Sequence, residues 1–186
     1  MRVISGICRG KKLSAPPGVS TRPTSDRVKE ALFSILGSRI DFAGMRVLDI
    51  CAGTGSLGIE ALSRGALSCC FVEQNKVVTS VIEKNIRITC CQDQSVILTM
   101  DAVKALQFMA TRGQCYDLVF FDPPYDSELY PRVLEAIGSS TVLAHGAIVV
   151  VECSARDPLR ETYGCLKNFD RRVYGETAVE LFVMGE

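Results

Sequence analysis

Apolar and polar positions follow two different periods along this chain, and the changes from one to the other mark its elements. Residues Val28, Ala31, Leu32, Ile35 and Leu36 recur with a helical period after Pro23 and a capping Thr24 or Ser25, which predicts an amphipathic helix over one side of the core. From Arg46 onward short apolar runs and helical patterns take turns. Strands are predicted over residues 46–50, 68–73, 95–100, 116–121 and 147–152, with helices over 57–64, 76–88, 103–111 and 128–137 between them. Alternation of this kind with apolar strands means a parallel sheet covered on both faces, an α/β doubly wound arrangement. The last segment breaks the rule. Residues 170–174 and 177–184, joined by Gly175-Glu176, predict a terminal β-hairpin that places one antiparallel strand in the sheet. At the other end, Pro16-Pro17-Gly18 sets residues 1–20 apart as an extension, and residues 21–186 form the main domain. Within the extension, residues 2–7 and 11–15 around Arg9-Gly10 predict a small β-hairpin.

A chain of 186 residues fits one core, and its 47% hydrophobic and 23% charged residues are ordinary for a globular domain. The net charge of zero hides an asymmetry. Residues 1–30 carry Arg2, Arg9, Lys11, Lys12, Arg22, Arg27 and Lys29 against Asp26 and Glu30 alone, so the front of the chain suits an anionic partner. A solvated basic tail and a purely structural hairpin are the competing explanations. The nine cysteines are odd in number, have no CxxC spacing and lie mostly in apolar runs, and His145 is the only histidine. Reduced thiols are therefore expected, and no metal site. No stretch reaches the roughly 18 apolar residues of a membrane span, so a soluble, cytoplasmic protein with no membrane partner is expected.

Candidate chemistry begins at the end of the first strand, in Asp49-Ile50-Cys51-Ala52-Gly53-Thr54-Gly55-Ser56-Leu57-Gly58. Glycines between a strand and a helix let backbone approach a ligand closely, and Gly53, Gly55 and Gly58 also fit the GxGxxG dinucleotide pattern or a plain tight turn. Asp49 separates the cofactors. A carboxylate there suits the ammonium or sulfonium of S-adenosylmethionine, whereas it would repel a pyrophosphate at the helix terminus. Glu73, after the second strand, has two acceptor oxygens for two ribose hydroxyls, and Asp101, after the third, can accept from an adenine amino group. The candidate cofactor set is Asp49, Ala52, Gly53, Thr54, Gly55, Glu73, Asp101 and Ala102.

The fourth strand runs into Asp122-Pro123-Pro124-Tyr125, the candidate catalytic set. Two prolines fix the backbone and leave carbonyls as acceptors. Asp122 and the Pro123 carbonyl can hold the N–H groups of an amine whose lone pair is delocalised into a base, and Tyr125 offers a face for stacking that base. A Pro-rich turn with a core tyrosine is the plainer alternative.

The glycine loop, the acids at strand ends and this tetrapeptide resemble the class I amino-methyltransferases, with a Rossmann-like sheet. A closer resemblance, to the RsmD family of bacterial 16S rRNA guanine-N2 methyltransferases, runs nearly the whole chain. It is carried by Ile4-Ser5-Gly6, Arg9-Gly10-Lys11-Lys12-Leu13, the block from Arg22-Pro23-Thr24-Ser25-Asp26-Arg27 through Val28-Lys29-Glu30-Ala31-Leu32-Phe33, and Glu60-Ala61-Leu62-Ser63-Arg64-Gly65-Ala66. The resemblance implies S-adenosyl-L-methionine as cofactor and guanine 966 of 16S rRNA as target. It further implies N2-methylguanine and S-adenosylhomocysteine as products. The expected partner is 16S rRNA, free or within an assembling small ribosomal subunit, met by a monomer through Arg2, Arg9, Lys11, Lys12, Arg22 and Arg27. Cys51 departs from the bulky residue common in the family, and Cys69-Cys70 and Cys90-Cys91 are also atypical. Three alternatives stand beside this expectation. A DNA adenine or cytosine amino-methyltransferase would need a target-recognition region for which the chain has no room; a dinucleotide oxidoreductase conflicts with Asp49; a non-catalytic RNA-binding assembly protein would keep the fold without methyl transfer.

Overall fold

A computed structural model describes residues 1–16, 26–124 and 128–185. Among these residues five α-helices and eight strands follow the alternation expected, with one 3-10 turn at Gln92–Gln94: α1 (Asp26–Gly37), β1 (Arg46–Ile50), α2 (Ser56–Ser63), β2 (Ser68–Val72), α3 (Lys76–Thr89), β3 (Ser95–Leu98), α4 (Ala102–Thr111), β4 (Tyr116–Phe121), α5 (Leu129–Gly138), β5 (Leu143–Ser154), β6 (Thr162–Tyr163), β7 (Leu166–Tyr174) and β8 (Thr177–Met184). The strands form one sheet in the order β3-β2-β1-β4-β5-β8-β7-β6. The first five are parallel, and β8 enters antiparallel between β5 and β7. The two-residue strand β6 extends the antiparallel end beyond the expected hairpin, pairing with the start of β7.

Side-chain alternation along the parallel strands feeds two cores. Val47, Phe71, Phe120 and Val150 face a layer made by α1, α2, α3 and the N-terminal segment. Leu48, Val72, Phe121 and Val151 face α4 and α5 on the other side. Local signals stop and start the helices as their chemistry requires: the Asn75 side chain accepts from Val77 N–H at α3, and Asp101 accepts from Val103 and Lys104 N–H at α4.

Residues 1–16 are bound down. Their two arms meet at a single antiparallel bridge, Arg2 with Lys12, and Val3, Cys8 and Leu13 are buried in the first core. The fully buried Glu60 of α2 accepts from Ile4 N–H at 2.8 Å and Ser5 N–H at 3.0 Å, while Lys29 of α1, also fully buried, donates to the Arg2 carbonyl at 2.7 Å and pairs with Glu60 at 3.3 Å. At Gly6 (φ 80°) the backbone lies so close to α2 that a Cβ would come within 1.7 Å of the Ser63 carbonyl oxygen. A freely solvated tail does not describe this segment. The expected boundary between residues 20 and 21 lies outside the described residues.

Candidate active site at the carboxyl edge of the sheet

The loop after β1 turns upward through left-handed conformations at Cys51 (φ 58°), Gly53 (φ 56°) and Gly55 (φ 73°) before α2 begins. The three glycines of the motif do different work. A Cβ on Gly53 would meet nothing nearer than the Cys51 carbonyl at 3.9 Å, so its bare backbone borders open space. Gly55 caps α2, and a Cβ there would press on Ile82 and Phe71 at 3.2 and 3.3 Å. Gly58 lets α2 settle on β2, since a Cβ would lie 2.5 Å from both the Cys69 sulfur and the Phe71 ring.

Asp49 sits beneath this loop with 1% exposure, its Oδ2 accepting the Gly58 N–H at 2.9 Å. Burial pushes its carboxyl up to about 7, with the nearby Glu73 charge adding to the rise against the Gly58 hydrogen bond. Glu73 takes the Gly53 N–H at 3.3 Å on Oε2 and the Asn75 N–H at 2.9 Å on Oε1. Asp101 caps α4 with Oδ1 and holds Arg132 at 2.7 Å with Oδ2. Cys51, at which burial raises the thiol to about 12, is a neutral wall residue rather than a nucleophile.

These groups surround a cavity of about 600 Å³, within the range of small-molecule sites. Of the expected cofactor residues, Asp49, Ala52, Gly53, Thr54, Glu73, Asp101 and Ala102 line it, whereas Gly55 is set back as a helix cap. Asp122, Pro123 and Pro124 line the same cavity from the end of β4, so the two motifs meet in one space. Tyr125 lies outside the described residues. The donor set fits S-adenosylmethionine: a buried carboxylate suits a cation, a two-oxygen carboxylate beside Gly53 suits a vicinal diol, and the glycine leaves the room between them open.

Other lining residues carry weaker sequence signals. Met1, Ala15 and Pro16 bring the N-terminal segment to the rim, where the Thr54 hydroxyl donates to the Met1 sulfur at 3.4 Å. Gln74, Asn75, Met100 and Leu129 complete parts of the wall. Glu152, near the carboxyl end of β5 and just past its pairing with β4, also lines it, and the rule that singles out Asp49, Glu73, Asp101 and Asp122, an acid near the carboxyl end of a parallel strand, applies to it as well. Of the expected nucleic-acid contacts, Arg2, Arg9, Lys12 and Arg27 are exposed and Lys11 is half-buried; none lines the cavity, and Arg22 lies outside the described residues. Among the described residues no three His, Cys, Asp or Glu side chains gather to hold a metal ion, and no helix is long and apolar enough to cross a membrane.

The position of Asp49 predicts a pH dependence. Because its folded value is raised from 3.8 to about 7, the folded state keeps a proton that the unfolded state releases. Its stabilising contribution is fully present below about pH 4 and is lost as pH rises through 7. Urea unfolding of wild type and Asp49→Asn should therefore give a stability difference that changes over this interval and is flat above it. Parallel curves would mean that Asp49 is already ionised in the ligand-free protein.

A parallel sheet that ends in an inserted antiparallel strand, with a glycine loop after β1 and acids along its carboxyl edge, defines a class I methyltransferase fold. The family described as "Conserved hypothetical protein 95" matches residues 1–183, and the chain belongs to that family, the RsmD family. It is 37% identical over 182 residues to the "Putative rRNA methyltransferase YlbH" of Bacillus subtilis (strain 168), covering 98% of each chain. To the "Ribosomal RNA small subunit methyltransferase D" of Escherichia coli (strain K12) it is 32% identical, covering 98% of this chain and 89% of the relative. Among solved structures, the "Putative methyltransferase yhhF from Escherichia coli" superposes with a TM-score of 0.84 at 31% identity, over 100% of this chain and 98% of the other.

Proposed function

We propose that this protein methylates the exocyclic N2 amine of a guanine in small-subunit rRNA, guanine 966, using S-adenosyl-L-methionine. The observation that carries this reading is the cavity shared by the glycine loop and Asp122-Pro123-Pro124. The names of the similar proteins, which specify rRNA and the small subunit, support the substrate class.

S-adenosylmethionine, when bound, would supply the methyl group, with the electron pair of the broken carbon–sulfur bond left on sulfur. The chain's own residues supply position. Asp49 would face the cationic end of the cofactor, Glu73 would accept its ribose hydroxyls, and Asp101 would border its adenine end. Asp122 and the Pro123 carbonyl would accept from the amine N–H groups and so aim the nitrogen, with Asp122 either taking the proton the nitrogen loses or only orienting the amine. A base in folded RNA must first be extruded to reach this depth, with Tyr125 as its stacking face. The protein acts as a cytoplasmic monomer on 16S rRNA, free or in an assembling small subunit, and Arg2, Arg9, Lys11, Lys12, Arg22 and Arg27 hold its phosphates.

The test is methyl transfer from labelled S-adenosylmethionine to naked 16S rRNA and to small-subunit particles, followed by nucleoside mass spectrometry. N2-methylguanine is expected. N6-methyladenine or N4-methylcytosine would overturn the guanine assignment, and RNA binding without any labelled nucleoside would mark a non-catalytic assembly protein.

The basic segment gives a second expectation. The Arg2 side chain is 68% exposed and its ion pair with Asp26 spans 3.8 Å, a contact that adds little stability. Replacing Arg2, Arg9, Lys11 and Lys12 together by alanine should keep the melting temperature and S-adenosylmethionine affinity, yet weaken RNA binding and flatten its salt slope by about 0.7 to 0.9 for each phosphate no longer neutralised. An unchanged slope would move the RNA surface elsewhere.

A further inference from the structure

The tetrapeptide at β4 aims an amine but does not by itself choose the base, since adenine, cytosine and guanine all present one. We propose that Glu152 makes that choice by accepting the ring N–H beside the guanine amine, an inference that rests on the proposed function above.

Strands β4 and β5 are parallel neighbours whose pairing ends with Phe121 opposite Val151, so Asp122 and Glu152 come next, side by side just past it. The β4 ladder continues through this point, with the Asp122 N–H donating to the Ile50 carbonyl at 3.4 Å. Neighbouring strands lie about 4.8 Å apart, a spacing that sets the two carboxylates side by side. Phe120 and Val150 face the α1 and α2 layer while Phe121 and Val151 face α4 and α5, so by alternation Asp122 and Glu152 share the face of Asp49. Both line the cavity, and Glu152 is only 8% exposed. A brace fixes their relative position. The buried Tyr130 phenol donates to the Glu152 carbonyl at 3.0 Å and reaches the Pro123 carbonyl at 3.5 Å, with its ring packed edge-on against Phe121.

The chemistry of the three bases distinguishes them at this spot. Of the two ring nitrogens beside the guanine amine, N1 carries a proton and N3 a lone pair, whereas the single ring nitrogen beside the amine of adenine or cytosine carries a lone pair. With Asp122 and the Pro123 carbonyl engaged by the amine, a carboxylate one strand away accepts the guanine N1–H and faces a lone pair in the other two. Repulsion between the carboxylate and that lone pair then rejects them, the kind of polar mismatch that discriminates more strongly than shape.

The probe is 2-aminopurine, which keeps the amine of guanine but has no proton on N1. Small-subunit particles carrying guanine or 2-aminopurine at the methylated position are compared by kcat/KM. Wild type should prefer guanine by about 100-fold or more. Glu152→Gln, whose amide can donate to an unprotonated N1, should reduce that preference to about 10-fold or less with unchanged S-adenosylmethionine affinity. A packing defect would slow both substrates alike and leave the ratio intact, so the ratio reports recognition. The inference is overturned if Glu152→Gln keeps the wild-type ratio, or if wild type uses 2-aminopurine as readily as guanine, a result that needs no variant to fold. Absence of N2-methylguanine from wild-type reactions would instead bring down the proposed function itself, and this inference with it.

Discussion

Asp122→Ala is expected to slow methyl transfer by a factor of about 30 to 1,000 while leaving S-adenosylmethionine affinity within a few-fold. Asp122 lies at the end of β4, beside the start of the glycine loop, whereas Glu73 and Asp101 follow β2 and β3 on the other side of β1, so in the proposed arrangement its carboxylate addresses the amine and not the ribose or adenine. Loss of an orienting acceptor raises the barrier by about 2 to 4 kcal/mol, by analogy with removing one preorganised donor from an oxyanion hole. The amine would still enter the cavity, held by the Pro123 carbonyl alone, but its nitrogen would be less well aimed. Single-turnover methyl transfer together with calorimetry of the cofactor checks both halves of this expectation. Near-normal turnover would remove Asp122 from the reaction, and a cofactor affinity lowered as much as the rate would assign it to the wrong ligand.

The largest effect on stability is expected at Glu60. Its carboxylate is fully buried and is shared by four donors: the Ile4 and Ser5 N–H groups, Lys29 Nζ at 3.3 Å and Arg64 Nε at 3.0 Å. Burial lowers the pKa of the Lys29 ammonium, and the Glu60 charge and hydrogen bond oppose that shift. Glu60→Ala leaves this cation buried beside the Arg2 carbonyl and deprives two backbone amides of their acceptor. Breaking such a pair from one side costs about 3 to 5 kcal/mol, or very roughly 6 to 20 °C in melting temperature for a domain of this size. Amide exchange at Ile4 and Ser5 should accelerate in the same variant, because the carboxylate that pins the N-terminal segment to α2 is gone. A loss below about 1 kcal/mol would show that the network is not what holds the segment.

Much of this architecture is legible in the chain. The bounds of β1, β4 and β8 follow from apolar runs interrupted only by Asp49, Asp117 and Glu180, and the acids at strand ends follow from where parallel sheets bind ligands. What escapes has physical reasons. Lys29 falls at a polar position in the helical pattern, and only Glu60, distant in sequence, makes its burial tolerable. The start of β7 reads as loop because Lys167 and Phe169 are exposed there and the ladder shifts register between Asn168 and Asp170. The pair Thr162–Tyr163 is too short to show any period. Glycines 53, 55 and 58 look alike in a motif, and only their surroundings separate the one that borders the cavity from the two that serve helix capping and packing.

The central claim, that one cavity at the carboxyl edge holds the cofactor against the amine acceptors of β4, is tested most directly by a crystal structure with S-adenosylhomocysteine. The expected density places the ribose hydroxyls on the Glu73 carboxylate beside Gly53, the amino-acid end over Asp49 and the sulfur pointing toward Asp122 and Pro123. Density for the ligand outside this cavity, or within it but with its sulfur turned away from Asp122, would contradict the account.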